Sequence, residues 1–100
     1  MKYQLYWIEN TIYEDFRDGE GFNIKKYVES LTPKGRHIYG TLESDDGFEA
    51  EVELHLVFHA DTLDEAKQVV RKFIEEYNRP IEVWSLIQSQ VVWTEEDLEL

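Results

Sequence analysis

One hundred residues, 42% of them hydrophobic and 14% aromatic, suffice for one domain with one core. The 22 Asp and Glu against 10 Lys and Arg give a formal net charge of −12, which repels phosphate backbones and anionic membranes and attracts basic surfaces. With no cysteine, disulfides, thiolate nucleophiles and cysteine-based zinc sites are excluded.

Met1-Lys2-Tyr3-Gln4 runs straight into a strand-like pattern with no signal-peptide character, and no apolar run approaches membrane-spanning length. A cytoplasmic protein without membrane contact is the expectation. Lys2 to Asn10 reads as a first strand, with Tyr3, Leu5 and Trp7 on one side and Gln4, Tyr6 and Ile8 on the other. Apolar groups on both sides suit a central strand. Thr11 to Gly21 mixes acid with Gly19 and Gly21 and reads as a loop, with the strand able to continue through Ile12.

Asn23 suits a helix N-cap, and Ile24, Tyr27, Val28 and Leu31 follow on one helical face until Thr32-Pro33 stops them. Lys34-Gly35 turns the chain, and Arg36 to Ser44 gives a second strand, with Tyr39, Thr41 and Glu43 on one side. Asp45-Asp46-Gly47 fits a three-residue hairpin loop in which Gly47 takes the left-handed conformation.

The third strand alternates strictly. Phe48, Ala50, Val52, Leu54, Leu56, Phe58 and Ala60 point one way; Glu49, Glu51, Glu53, His55, Val57 and His59 point the other, so one face is buried and one wet. Its length predicts a bend or bulge near its end. Thr62 and Glu65 then form a capping box, and Leu63, Ala66, Val69, Val70, Phe73, Ile74 and Tyr77 make a single helical stripe. Asn78-Arg79-Pro80 ends this helix. Ile81 to Trp93 is a fourth, less regular strand that breaks near Ser85 or Gln88, and residues 94–100 form an acidic C-terminal tail.

The resulting order, β-α-β-β-α-β over residues 1–93, predicts an α+β domain of ferredoxin-like type. Its antiparallel four-stranded sheet carries both helices on one face, with strands one and three side by side. The three-residue loop predicts a hairpin register that pairs Glu43 with Glu49, Thr41 with Glu51, Tyr39 with Glu53 and His37 with His55. Opposed like charges oppose folding slightly, and the fold does not require them. Lys25, Lys26, Lys67, Arg71, Lys72 and Arg79 fall on or beside the helices, leaving the open sheet face strongly acidic, with Tyr39 and Trp84 among its carboxylates.

The pattern gives no chemistry of its own. His55 and His59, four residues apart along a strand, are about 13 Å apart and cannot share an ion; only His37 and His55 converge. Glu14, Asp15, Asp18 and Glu20 have calcium-loop composition without the spacing of alternate ligands, and the glycines among them precede no Gly-Lys-Ser/Thr phosphate cradle. No serine sits in a nucleophile motif, and carboxylate pairs are too abundant to single out an acid and a base. The expectation is therefore a non-enzymatic binding protein without metal or cofactor. Tyr39, Glu43, Glu49, Glu51 and Glu53 would contact a basic protein surface, with no direct nucleic-acid binding. Its sharpest form is an inhibitor that imitates nucleic acid, as phage anti-defence proteins do, or an immunity protein of similar physics. The alternatives are a regulatory or ligand-sensing domain that dimerises through a sheet edge, and a small enzyme acting on a cationic or metal-bound substrate.

Overall fold

The alternating apolar positions of the first eleven residues set the frame for the rest. In the computed structural model, which describes residues 1–31, 37–77 and 79–99 (backbone alone for residue 99), the chain is α+β with two α-helices and a five-stranded antiparallel sheet. Its elements are β1 (Lys2–Ile12), β2 (Arg17–Asp18), β3 (Gly21–Phe22), α1 (Ile24–Leu31), β4 (Ile38–Asp45), β5 (Glu49–His59), α2 (Leu63–Glu76), β6 (Trp84–Ile87) and β7 (Val91–Thr94). The sheet order is β4-β5-β1-β6-β7, and each neighbouring pair is antiparallel. β1 is central, and β5 lies beside it from Lys2–His59 to Ile12–Glu49 without a shift of register. The helix stop at Thr32-Pro33, the Lys34-Gly35 turn, the strand start at Arg36, the Asn78 exit and Leu100 lie outside the described residues.

Several expectations are corrected. The expected break of the fourth strand falls at Gln88, but it makes two strands of one, so the sheet has five strands and not four. The first of the two starts at Trp84 instead of Ile81. Gln88-Ser89-Gln90 carries no apolar side chain and turns, with the Gln88 amide donating to the Gln90 carbonyl at 3.0 Å. The expected irregularity falls on β4 between Leu42 and Ser44, not on β5. Gly47 does take a positive φ of 88°. The Asp46 carboxylate, however, accepts from the amides of Phe48 (2.9 Å) and Glu49 (2.7 Å), which moves the turn one residue along and leaves Phe48 exposed instead of in the core. The acidic stretch after β1 is not a plain loop: a short 3-10 turn at Tyr13–Phe16 leads into the β2–β3 hairpin. Its Tyr13, Phe16 and Phe22 rings cluster against one another and onto Tyr27. Residues 95–99 form a 3-10 turn, held where Asp97 accepts from the Thr94 amide (2.9 Å) and Glu95 from the Trp84 amide (3.0 Å).

Both helices lie on the sheet face that carries Tyr3, Leu5 and Trp7 of β1 and Val52, Leu54 and Leu56 of β5. The Asn23 carboxamide caps α1 by accepting from Lys26 N at 3.0 Å. Thr62 Oγ1 caps α2 from Glu65 N at 3.2 Å, and the Glu65 carboxylate reaches back to the Asp61 amide at 3.1 Å. α2 buries Ala66, Val70 and Phe73, whose ring meets Trp7 at 5.5 Å between centroids. α1 approaches β4 over Gly40, where an added Cβ would lie 2.6 Å from Val28 Cγ2. Among the side chains of β1 and β5 on this covered face, one is acidic: Glu9. It accepts hydrogen bonds from Trp7 Nε1 (2.8 Å), Tyr77 Oη (2.5 Å) and Tyr27 Oη (3.4 Å), and Arg79 stands 3.5 Å away. A carboxylate on β1 thus fastens residues from both helical segments to the sheet.

Candidate functional site

The side of the sheet away from the helices is built by the complementary residues of the same strands. Across it, register brings together rows. Tyr39, His55, Tyr6, Ser85 and Thr94 form one row, and Thr41, Glu53 and Ile8 form the next. Ser44, Glu51 and Asn10 follow, and Glu49 with Ile12 closes the series. Glu49, Glu51 and Glu53 therefore run down β5 in one stripe. Among the residues of the five strands, Lys2 is the sole Lys or Arg, and it sits at the far end beside His59.

One carboxylate of the stripe is tied to the neighbouring strand. Tyr6 Oη donates to Glu53 Oε1 at 2.8 Å. Its hydroxyl is pushed up to about 12, first by desolvation and then by the bond to and charge of Glu53, with Glu43 and Glu51 adding to the effect. Three of the four expected acidic residues thus act on one phenol. Glu49 and Glu51 also line an acidic notch of about 200 Å³, with Asn10, Ser44, Asp45 and Asp46.

The predicted pairings themselves are corrected. The bulge in β4 and the displaced turn shift the register, so Thr41 faces Glu53 and Tyr39 faces His55. Glu43 falls at the bulge instead of opposite Glu49, and Ser44 takes the place beside Glu51. His37 does not meet His55; its carbonyl accepts from the Val57 amide. Tyr39 is 60% exposed at the outer strand, at the mouth of an apolar groove of about 370 Å³ shared with Ile24 and Val28 of α1. Trp84 is not on the acidic face at all: it is buried on the covered side, ring to ring with Trp93 at 4.8 Å. Lys67 and Arg71 of α2 stand over Trp93, at 5.2 and 5.3 Å, so these two cations are held on the opposite side of the molecule.

The sequence reading missed Tyr6, Ile8, Ile12 and Val83 as parts of this surface. Ile8 (45% exposed) and Ile12 lie on β1 directly beside the glutamate stripe, and Val83 is exposed just before β6. The available signal was the apolar character of both sides of β1, which suits a surface that is later covered as well as a central strand. Among the described residues no group of three or more His, Asp or Glu is disposed to hold a metal ion, and no helix is long and apolar enough to cross a membrane. No protein-family model matches the chain, and neither a curated protein nor a solved structure matches it.

Proposed function

We propose that this is a small acidic binding protein whose open sheet face engages a basic surface of a protein partner, in the manner of a nucleic-acid mimic. Phage anti-defence inhibitors and immunity proteins are the functional kinds with this physics. The observation that carries the reading is the stripe of Glu49, Glu51 and Glu53 down the outward side of β5, with Glu43 on neighbouring β4 and no lysine or arginine among them. Clustered carboxylates without cations raise a local negative potential that steers a basic partner and excludes nucleic acid. The fold that presents this face is, in this reading, ferredoxin-like with β7 added at one edge. The order β4-β5-β1-β6 and its antiparallel neighbours support that assignment.

The test begins with recovery of a partner from the native host at low salt and proceeds with the purified pair. Affinity is measured by calorimetry from about 50 to about 300 mM salt, a range over which screening shortens markedly. The expected result is steep weakening with salt and competition by nucleic acid for the same partner. A Glu49→Lys/Glu51→Lys/Glu53→Lys variant should lose about 100-fold or more, since like-charge contacts cost several kcal/mol. Unchanged affinity and unchanged salt dependence in that variant would refute the reading.

A further inference from the structure

β1 is longer than the strand that covers it. β5 pairs with all eleven of its residues, whereas β6 reaches only Gln4 to Trp7. At the two ends of the β1–β5 ladder, Met1 O accepts from Ala60 N and Tyr13 N donates to Phe48 O, so the odd-numbered residues of β1 turn their backbone groups toward β5. The even-numbered residues turn theirs toward β6. Past Trp7, Asn10 therefore presents its N–H and C=O, and Ile12 its N–H, to a side where no described strand lies, the Ile12 carbonyl being turned to the 3-10 turn that it caps; both residues are exposed. Here the chain before β6 diverges from β1, and Ile81 drops into the core. The divergence opens a cavity of about 470 Å³ lined by Tyr6, Ile8, Pro80, Glu82, Val83 and Trp84, among others.

An unpaired strand edge beside an open slot is a template for another strand. We propose that this edge of β1 receives an extended segment of the partner in which apolar and basic residues alternate, added to the sheet in line with β6. The inference rests on the acidic-face reading and names the shape of what that face binds. Its backbone would satisfy Asn10 and Ile12, and its apolar side chains would cover Ile8, Ile12 and Val83, three exposed apolar residues that border the slot or the stripe. Its cations would meet Glu82 on one rim and, reaching over β1, Glu51 and Glu53 on the other. Charge decides among occupants. A second copy would bring the same carboxylates to the same place, and a nucleic acid would bring phosphates; a lysine- or arginine-bearing strand is the occupant that these groups attract.

The probe is a capped synthetic decapeptide of alternating valine and lysine, added to the full-length protein at low salt. Amide hydrogen exchange is followed by NMR, and affinity by fluorescence. The expected result is binding that slows exchange of the Asn10 and Ile12 amides about tenfold or more. Methylating alternate backbone nitrogens of the peptide, in the register that faces β1, should weaken binding about tenfold, the worth of one or two backbone hydrogen bonds. Asn10→Pro removes an edge-facing N–H at a position where proline is tolerated, and should weaken binding similarly. The methylated peptide gives the same information without altering the protein. Failure of the valine–lysine peptide to bind overturns the inference, as does equal binding of a valine–glutamate peptide. Binding that perturbs Glu49, Glu51 and Glu53 but ignores both backbone modifications overturns edge pairing while leaving the acidic-face reading in place. Edge protection that persists in the Glu49→Lys/Glu51→Lys/Glu53→Lys variant supports edge pairing and refutes the acidic face.

Discussion

Replacing Glu9 with alanine should be among the most damaging single changes in the sheet, although a glutamate between Ile8 and Asn10 looks like a surface residue in the sequence. Its carboxylate is only 10% exposed and accepts from Trp7 Nε1 at 2.8 Å and from the hydroxyl of Tyr77. Trp7 and Tyr77 are themselves buried. Glu9→Ala leaves both donors without an acceptor, each at about 1–3 kcal/mol, so the loss is about 4 kcal/mol at mid-range before any water enters. For a domain of this size that lowers Tm by about 15–30 °C. Glu9→Gln retains one acceptor oxygen and should cost about 1–2 kcal/mol. The assay is urea unfolding followed by tryptophan fluorescence, which reports directly on Trp7. A second substitution isolates the cause: in the Glu9→Ala background, Tyr77→Phe removes an orphaned hydroxyl and should recover about 1 kcal/mol. A Glu9→Ala protein within about 1 kcal/mol of the parent would refute the reasoning, because a solvated carboxylate and a surface substitution behave that way.

Three further outcomes follow from the same geometry. Burial first, and then Glu9, raises the hydroxyl pKa of Tyr27 and of Tyr77 above the ordinary value of 10.0. The folded state thus holds these protons more tightly than the unfolded state. Their contribution to stability is intact below about pH 10 and is lost above it, at up to about 2.7 kcal/mol per pH unit for the pair; Tyr27→Phe/Tyr77→Phe should flatten the alkaline limb of a stability–pH curve. Gly40→Ala places a Cβ 2.6 Å from Val28 Cγ2 and 3.2 Å from Ile24 Cδ1, so α1 must move and stability should fall by about 1–3 kcal/mol in thermal unfolding. In a Glu43→Gln/Glu51→Gln variant Tyr6 should titrate below its value of about 12, read from its ring resonances, and an unshifted titration would show that those carboxylates do not converge on it.

Strand parity was legible in the sequence because it depends on nothing but alternation. Ala50, Val52, Leu54 and Leu56 are buried and Glu49, Glu51 and Glu53 are on the other side, as period two demands. The caps of both helices were legible for a similar reason, since Asn23 and Thr62 act on amides three residues away. Register was not legible. It depends on where one turn closes, and the Asp46 carboxylate capturing the Phe48 and Glu49 amides outweighed the three-residue loop that Gly47 suggested. With a bulge at Glu43 added, every predicted cross-strand pair of the acidic face changed partner while Glu49, Glu51 and Glu53 stayed on their face. Trp84 was misplaced because four residues of β6 are too few to show a period, and Tyr13, Phe16 and Phe22 were passed over because their aromatic cluster has no periodicity to read.

In the proposed reading, the glutamates of neighbouring strands separate stability from recognition. Glu9 shares its side of the sheet with Tyr3, Leu5 and Trp7, and it is saturated with donors drawn from β1, α1 and the end of α2. Glu49, Glu51 and Glu53 share theirs with Ile8, Asn10 and Ile12; the one hydrogen-bond donor given to these carboxylates among the described residues is Tyr6, itself on the same face. A buried carboxylate is tolerated where its lone pairs are used, and its loss is felt throughout the core. A solvated row of like charges weakens the sheet slightly and leaves the core untouched. Substitution of Glu9 should therefore move the unfolding midpoint with the outer face intact, and substitutions of Glu49, Glu51 and Glu53 should leave the fold intact and, in the proposed reading, move binding. A partner whose affinity followed substitution of Lys67 and Arg71, which lie over Trp93, and ignored Glu49, Glu51 and Glu53 would recognise the helical side, and the acidic face would then be no more than a solubilising surface.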